Sequence, residues 1–154
     1  MRPLATIEDC FSKKLIRRVV PSREKANESL NLASSYLCEA RQVAGIGANR
    51  MSLAGAYMAW FHAARAVLFR DGIREKSHYC IELYLETYVR SGDLEDEWVL
   101  MFGRIRAQRH ESQYSFGPTP TDAEVSAAVL HAERFIERMR QLLSETPKKE
   151  WVGR

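Results

Sequence analysis

The stretch "MSLAGAYMAWFHAARAVLF", residues 51–69, is apolar on most sides of a helix and decides the fold class. It is nearly long enough to cross a bilayer, but His62 and Arg65 lie near its middle. An ionised arginine at that depth costs roughly 2.5–3.5 kcal/mol even on a lenient insertion scale. We therefore expect the central, buried helix of a bundle, over about residues 50–70, and no membrane span.

Helical periodicity continues on both sides of this segment, and no convincing two-residue alternation predicts a strand. Thr121 and Glu124 have the spacing of a capping box, which marks the start of the last helix, and Pro147 prevents its continuation. The four further helices are predicted over about residues 22–43, 77–90, 93–114 and 121–146. The sequence thus predicts an all-α bundle of four to five main helices.

The chain divides into three predicted parts. Residues 1–21 form a basic N-terminal arm, residues 22–146 the bundle, and residues 147–154 a flexible C-terminal tail. The basic residues of the arm are Lys13, Lys14, Arg17 and Arg18. The sequence leaves open whether this arm is disordered, a short helix, or a strap over the bundle.

Composition limits the function only weakly. The 154 residues suffice for one domain with a core, and 23 basic against 20 acidic side chains give a net charge of +3. That charge is too small to imply nucleic-acid binding by itself. Because Cys10, Cys38 and Cys80 are scattered and odd in number, we expect free thiols in a reducing compartment. No export signal is visible, so the predicted location is the cytoplasm.

Basic residues cluster near the end of the fourth predicted helix, in "RIRAQRHESQY", residues 104–114. At about 100° per residue, Trp98, Phe102 and Ile105 form its buried stripe. Arg109 falls on that same side, whereas Arg104 points away, about 120° from His110. The polar strip that borders the buried stripe comprises Arg106, Arg109, His110, Gln113 and Tyr114.

Arginines next to a core need anionic or hydrogen-bonding partners. Three interpretations remain open for this strip: a structural ion-pair network, a phosphate or RNA site, and ordinary surface charge. The planar fork of arginine suits phosphate, and histidine exchanges protons near neutral pH. No histidine, cysteine or acidic residues have the spacing of metal ligands, and no glycine-rich phosphate loop occurs, so neither a metal nor a cofactor is expected.

Two segments resemble the HEPN-domain family. They are "AGAYMAWFHAARAVLFRDGIREKSHYCIELYLETYV" (54–89) and "RIRAQRHESQYS" (104–115), which lies where that family carries its arginine–histidine motif. The resemblance implies a helical bundle that forms a homodimer through the motif-bearing helices. It also implies a metal-independent endoribonuclease, often a toxin paired with a nucleotidyltransferase antitoxin that adenylylates a tyrosine beside the motif.

The family motif and the helical positions together give ten candidate site residues. The catalytic candidates are Arg106, Arg109, His110 and Arg104; five residues separate Arg104 from His110, as the family motif allows. The candidates for RNA or phosphate binding are Gln113, Tyr114, His62, Arg65, Lys76 and His78. Tyr114 is also the candidate for modification. The alternatives are that His62 is a core residue and that Ser77 caps a helix, with Lys76 and His78 as surface groups. A non-catalytic HEPN module that partners a nucleotidyltransferase is the alternative function.

Overall fold

A computed structural model describes residues 6–149, and within them the chain folds as a bundle of α-helices. The elements are α1 (Ile7–Ser12), β1 (Ile16–Arg18), α2 (Arg23–Gly45), α3 (Asn49–Asp71), β2 (Ile73–Glu75), α4 (His78–Arg90), α5 (Asp96–Tyr114) and α6 (Asp122–Glu145). Five main helices confirm the predicted fold class. The division into arm, bundle and tail stays a prediction, and residues 150–154 of the tail lie outside the described residues.

Helix α3 is the centre of the bundle, as its all-round apolar sequence predicts. It packs against α2, α4, α5 and α6. Trp60 of α3 is fully buried and stacks on Phe135 of α6, with ring centroids 4.0 Å apart. No helix within residues 6–149 is long and apolar enough to cross a membrane.

The N-terminal arm, as far as it is described, forms a strap that combines a short helix with a strand. β1 pairs antiparallel with β2, placing Arg17 opposite Arg74. Sequence analysis missed both strands because a three-residue strand is too short to show alternation, and its partner lies more than fifty residues away. Gly72 allows this docking: its φ is +76°, and a Cβ there would come within 2.7 Å of the Val19 carbonyl oxygen.

The expectation of three free thiols is wrong for two of them. Cys10 of α1 and Cys80 of α4 form a disulfide, with Cα atoms 6.0 Å apart, and both are fully buried. Only Cys38 among the described cysteines is free and exposed. Cys10 and Cys80 are 70 residues apart, so no local sequence pattern indicates that they pair. The pairing depends on how the arm docks on α4. The cysteines therefore no longer support a reducing compartment, and the cytoplasmic location stays a prediction.

Two helix ends are built differently from expectation. The fourth predicted helix begins at Asp96 rather than Asp93, because the amide groups of Asp93 and Leu94 both bond to the Tyr88 carbonyl in a turn. Ser77 occupies the N-cap position of α4, but its side chain accepts no hydrogen bond there. The capping box of Thr121 and Glu124 is confirmed.

A buried polar cluster joins the end of α3 to α4 and to the C-terminal segment. The Asp71 carboxylate accepts hydrogen bonds from the hydroxyls of Tyr84, at 2.7 Å, and Tyr88. Burial, followed by this carboxylate, raises the pKa of Tyr88. Arg70 donates to the carbonyl of Thr146 at 2.6 Å, and the backbone amide of Lys149 donates to Asp71 at 3.2 Å. The beginning of the predicted flexible tail is thus docked on the bundle.

Candidate functional site

Helix α5 places the motif residues through its buried stripe. Phe102 and Ile105 are buried and Trp98 is half-buried, as the helical spacing predicts. Arg106 and Arg109 are also half-buried, whereas His110 is exposed. The predicted polar strip therefore borders the core, and its two arginines differ in their contacts.

Arg106 is neutralised within the chain. Its guanidinium forms an ion pair with Glu82 of α4, a residue only 5% exposed, and lies 5.4 Å from the centroid of the Tyr79 ring. Gly103 makes room for this carboxylate, because a Cβ there would lie 3.2 Å from Glu82 Oε1. Burial raises the pKa of Glu82, and the hydrogen bond and charge of Arg106 oppose that rise.

Arg109 has no carboxylate partner within 4.0 Å among residues 6–149. Its guanidinium carbon lies 4.5 Å from the centroid of the Tyr57 ring, a cation–π contact, and its Nη1 donates to Gln113 Oε1 at 2.7 Å. Its Nε is buried and has no hydrogen-bond partner. No acidic side chain among residues 6–149 therefore neutralises this half-buried cation.

Tyr57 connects Arg109 to His78. The Tyr57 hydroxyl lies 2.8 Å from His78 Nδ1, and the His78 ring also packs on Phe61, with centroids 4.3 Å apart. Burial raises the pKa of Tyr57 to about 12, against the opposing effect of Arg109. Partial burial of the His78 ring, followed by the charges of Arg109 and Arg106, lowers its pKa. Near neutral pH the phenol therefore keeps its proton and His78 is neutral.

These side chains continue along α3 through Phe61 to Arg65. Arg65 pairs with Glu75 of β2 at 2.7 Å and lies 5.6 Å from the centroid of Phe61. We call the resulting surface the basic-aromatic band. Its members are Tyr57, Phe61, Arg65, His78, Arg106 and Arg109. Sequence analysis had identified its four basic residues but not its aromatic floor.

His110 and Tyr114 lie one turn apart at the end of α5 and face solvent. Their ring centroids are 4.9 Å apart, and Tyr114 is 69% exposed. Gln113 is exposed as well. Any RNA or protein partner that approaches this end of α5 has direct access to the imidazole and to the phenol.

Arg104 lies on a different side of α5. It lines an open groove of about 760 Å³ between α5 and the start of α6, together with Gln108, Glu111 and Glu124. His110 is not part of this lining. The arginine with the family spacing is thus directed away from the histidine within one chain.

The contacts of His62 and Lys76 stabilise the fold. His62 is 7% exposed and stacks on Tyr36, with centroids 5.4 Å apart and planes within 5°. Burial, followed by the charge of Arg65, lowers the pKa of His62 to about 4. The exposed Lys76 donates its backbone amide to the Leu15 carbonyl at 2.7 Å. Their part in binding stays a prediction.

Three functional neighbours escaped sequence analysis: Tyr57, Phe61 and Glu82. Tyr57, Phe61 and Arg65 follow one another at four-residue intervals, which places them on one face of α3 and is a usable signal. Glu82 gives no such signal, because only the packing of α4 against α5 brings it to Arg106. Residues 6–149 contain no group of three or more histidine, cysteine or acidic side chains that could hold a metal ion.

Comparison with known proteins agrees with this architecture. The HEPN domain model matches residues 26–142, which is more than two thirds of the chain. A protein of Methanocaldococcus jannaschii named "Putative toxin MJ0605" is similar to this chain. The two are 27% identical over 127 residues, which cover 80% of this chain and 92% of the relative. On the match to the domain model, the chain belongs to the HEPN family.

Proposed function

We propose that this HEPN protein is an RNA-binding toxin that cleaves RNA without a metal ion, with Arg109 and His110 as its central residues. The observation that carries the proposal is the half-buried Arg109, which has no carboxylate partner among the described residues and lies one position before an exposed histidine. A withdrawn guanidinium without an anionic neighbour suits an external phosphate. The similarity to a protein named as a toxin supports the biological setting.

The proposed chemistry uses the imidazole of His110 and the guanidinium of Arg109, which are consecutive residues of α5. The 2′-hydroxyl of a nucleotide loses its proton to His110, and its oxygen attacks the adjacent phosphorus. The bond from phosphorus to the 5′-oxygen breaks, and that oxygen takes a proton from the His110 imidazolium, which leaves a cyclic phosphate, a free 5′-hydroxyl and a neutral imidazole. Arg109 stabilises the negative charge that develops on the phosphate oxygens, whereas Arg106, one turn before His110, is paired with Glu82.

A homodimer through α5 is part of the proposal. Within one chain Arg104 is directed away from His110, so a second copy is the source from which an arginine with the family spacing reaches this histidine. The exposed Tyr114 is accessible to a nucleotidyltransferase-type antitoxin, and its modification would block access to the His110 imidazole, 4.9 Å away. Lys76 and His78 extend the phosphate-binding surface.

The test is incubation of the purified protein with single-stranded RNA in EDTA. We expect His110→Ala to slow cleavage by about 10²–10⁴-fold and Arg109→Ala by about 10²–10³-fold. Arg134→Ala, which replaces an exposed arginine of α6, serves as the matched control and keeps the wild-type rate. Absence of cleavage by the wild-type protein, or equal cleavage by His110→Ala, refutes the enzymatic proposal.

A second candidate, a non-catalytic module that partners a nucleotidyltransferase, is favoured by the Arg106–Glu82 pair and the position of Arg104. Both show motif arginines in structural or distant places. This candidate predicts that Arg106→Ala lowers the melting temperature or dissociates the dimer and leaves every RNA assay unchanged. The same set of variants therefore separates the two functions.

A further inference from the structure

The loop after α5 carries an aromatic side chain, Phe116, that is not packed into the core. Phe116 is 108% exposed relative to its reference state, and Tyr114, two residues earlier, is 69% exposed. Most of the apolar side chains of the bundle are buried. Moving a phenylalanine side chain out of water is favourable, and this fold leaves that free energy unused at Phe116. Large exposed apolar groups often mark binding surfaces.

This loop is fixed at several points. The Arg50 guanidinium donates to the carbonyls of Ser112 and Gly117, the latter at 3.1 Å. Asn49 donates to the Pro120 carbonyl at 2.9 Å. The backbone is thus held by the first turn of α3, and Phe116 is presented by an anchored segment.

The two exposed rings continue from the catalytic candidates. The Tyr114 ring lies 4.9 Å from the His110 ring, and Arg109 is bonded to Gln113 on the adjacent part of the helix. A cation without a carboxylate partner among the described residues, an imidazole and two exposed rings therefore follow one another in the sequence from Arg109 to Phe116. The acidic Glu111 of the same turn lines the groove of Arg104.

Basic groups followed by exposed rings suit single-stranded nucleic acid, because phosphates contact the cations and unpaired bases stack on the rings. A paired duplex hides its base faces and cannot use such rings. A second copy of the chain, which the proposed function pairs through α5, is a less suitable occupant of Phe116 itself, because the exposed Gln113 and Thr119 close to it in the sequence are polar.

We propose that Tyr114 and Phe116 form a stacking platform for unpaired bases beside His110, which makes single-stranded RNA the substrate class. The platform rests on the proposed function, and it places the nucleotides next to the cleaved bond on the Phe116 side of the histidine. Tyr114 contributes a ring face close to the imidazole, and Phe116 the next one along the loop.

The experiment compares three Phe116 variants on three probes by fluorescence anisotropy. The probes are a mixed-sequence RNA 12-mer, its 2′-deoxy equivalent, which lacks the attacking hydroxyl, and the fully paired RNA duplex. Base stacking on an aromatic side chain is worth roughly 1–3 kcal/mol. Phe116→Ala and Phe116→Leu are therefore expected to weaken binding of both single strands about 5- to 150-fold, with the melting temperature and duplex binding unchanged.

Phe116→Trp is expected to retain the affinity, since it keeps a ring face, whereas leucine keeps only apolar area. Val20→Ala removes a comparably exposed apolar side chain at the opposite end of α3 from Arg50, where the neighbouring Val19 bonds to Gly72, and serves as the control without effect. Wild-type affinity in Phe116→Leu overturns the platform. A change in dimerisation without a change in single-strand binding also overturns it and assigns Phe116 to a protein contact.

The two levels of the proposal fail differently. If the wild-type protein cleaves the RNA 12-mer and all Phe116 variants cleave and bind equally, only the platform is refuted. If the wild-type protein neither binds nor cleaves any single strand, the proposed function is refuted and the platform falls with it.

Discussion

Replacing Tyr57 with phenylalanine separates the two contacts that this buried residue makes. The ring that supports the Arg109 guanidinium at 4.5 Å remains, while the hydroxyl that lies 2.8 Å from His78 Nδ1 is removed. Because burial raises the Tyr57 pKa to about 12, the hydroxyl is protonated near neutral pH and can donate to Nδ1. That hydrogen bond stabilises the neutral imidazole with its proton on Nε2.

The size of the effect follows from the bond that is lost. A neutral hydrogen bond contributes roughly 0.5–1.5 kcal/mol net, so its removal raises the proton affinity of His78 by a factor of about 2 to 12. The His78 pKa therefore rises towards its ordinary value in Tyr57→Phe. Charges that face His78 from Arg65 of α3 and from Arg106 and Arg109 of α5 still oppose protonation.

The assay is an NMR pH titration of the imidazole protons, which is practicable because the chain has four histidines. His78→Gln identifies the signal, and the ring nitrogen shifts at pH 8 report the tautomer. Tyr57→Leu, which also removes the ring under Arg109, is the comparison and is expected to lower the melting temperature as well. An unchanged or lower His78 pKa in Tyr57→Phe would show that the hydroxyl accepts from the imidazolium, and the reasoning would be refuted.

Three further predictions concern stability. The pKa of His62 is lowered from 6.5 to about 4, so the unfolded chain binds a proton before the folded chain does as the pH falls. Up to about 3 kcal/mol of the free energy of unfolding is therefore lost between pH 6.5 and 4. His62→Phe should flatten this pH dependence in urea titrations at about pH 7, 5.5 and 4.5. Gly72→Ala forces a left-handed residue against the Val19 carbonyl and should cost about 2 kcal/mol in a urea titration. Replacing Cys10 and Cys80 by serine opens a 70-residue loop and should cost about 4 kcal/mol, a loss that a reducing agent reproduces in the wild type and not in the variant.

The helices and the site strip were predictable because their signals are local. The buried positions of Phe102 and Ile105 follow from helical spacing alone, and so does the half-buried position of Arg109 on the same side. The capping box of Thr121 needed only two residues three positions apart. Each of these features is set within one helix, where sequence distance and spatial distance correspond.

What could not be predicted depends on which elements meet. The Cys10–Cys80 disulfide and the β1–β2 pair both need the arm to dock on distant segments, and neither leaves a periodic signal. Glu82 is equally invisible as the partner of Arg106, since its selection depends on the packing of α4 on α5 and on the absence of a side chain at Gly103. Periodicity identifies the face of a helix but not the residue opposite it.

Arg106 and Arg109 differ in whether a carboxylate neutralises their charge. They lie three residues apart on α5 and are both half-buried, yet a buried carboxylate satisfies the first and an aromatic ring supports the second. A phosphate that approached Arg106 would have to compete with Glu82, whereas at Arg109 it would meet an exposed imidazole and a guanidinium with no carboxylate neighbour among the described residues. Because an aromatic face attracts a cation without neutralising its charge, Tyr57 can hold Arg109 in position while leaving that charge available. Arg106 therefore acts mainly to fix α5 on α4, and in the proposed function Arg109 is the arginine that binds phosphate.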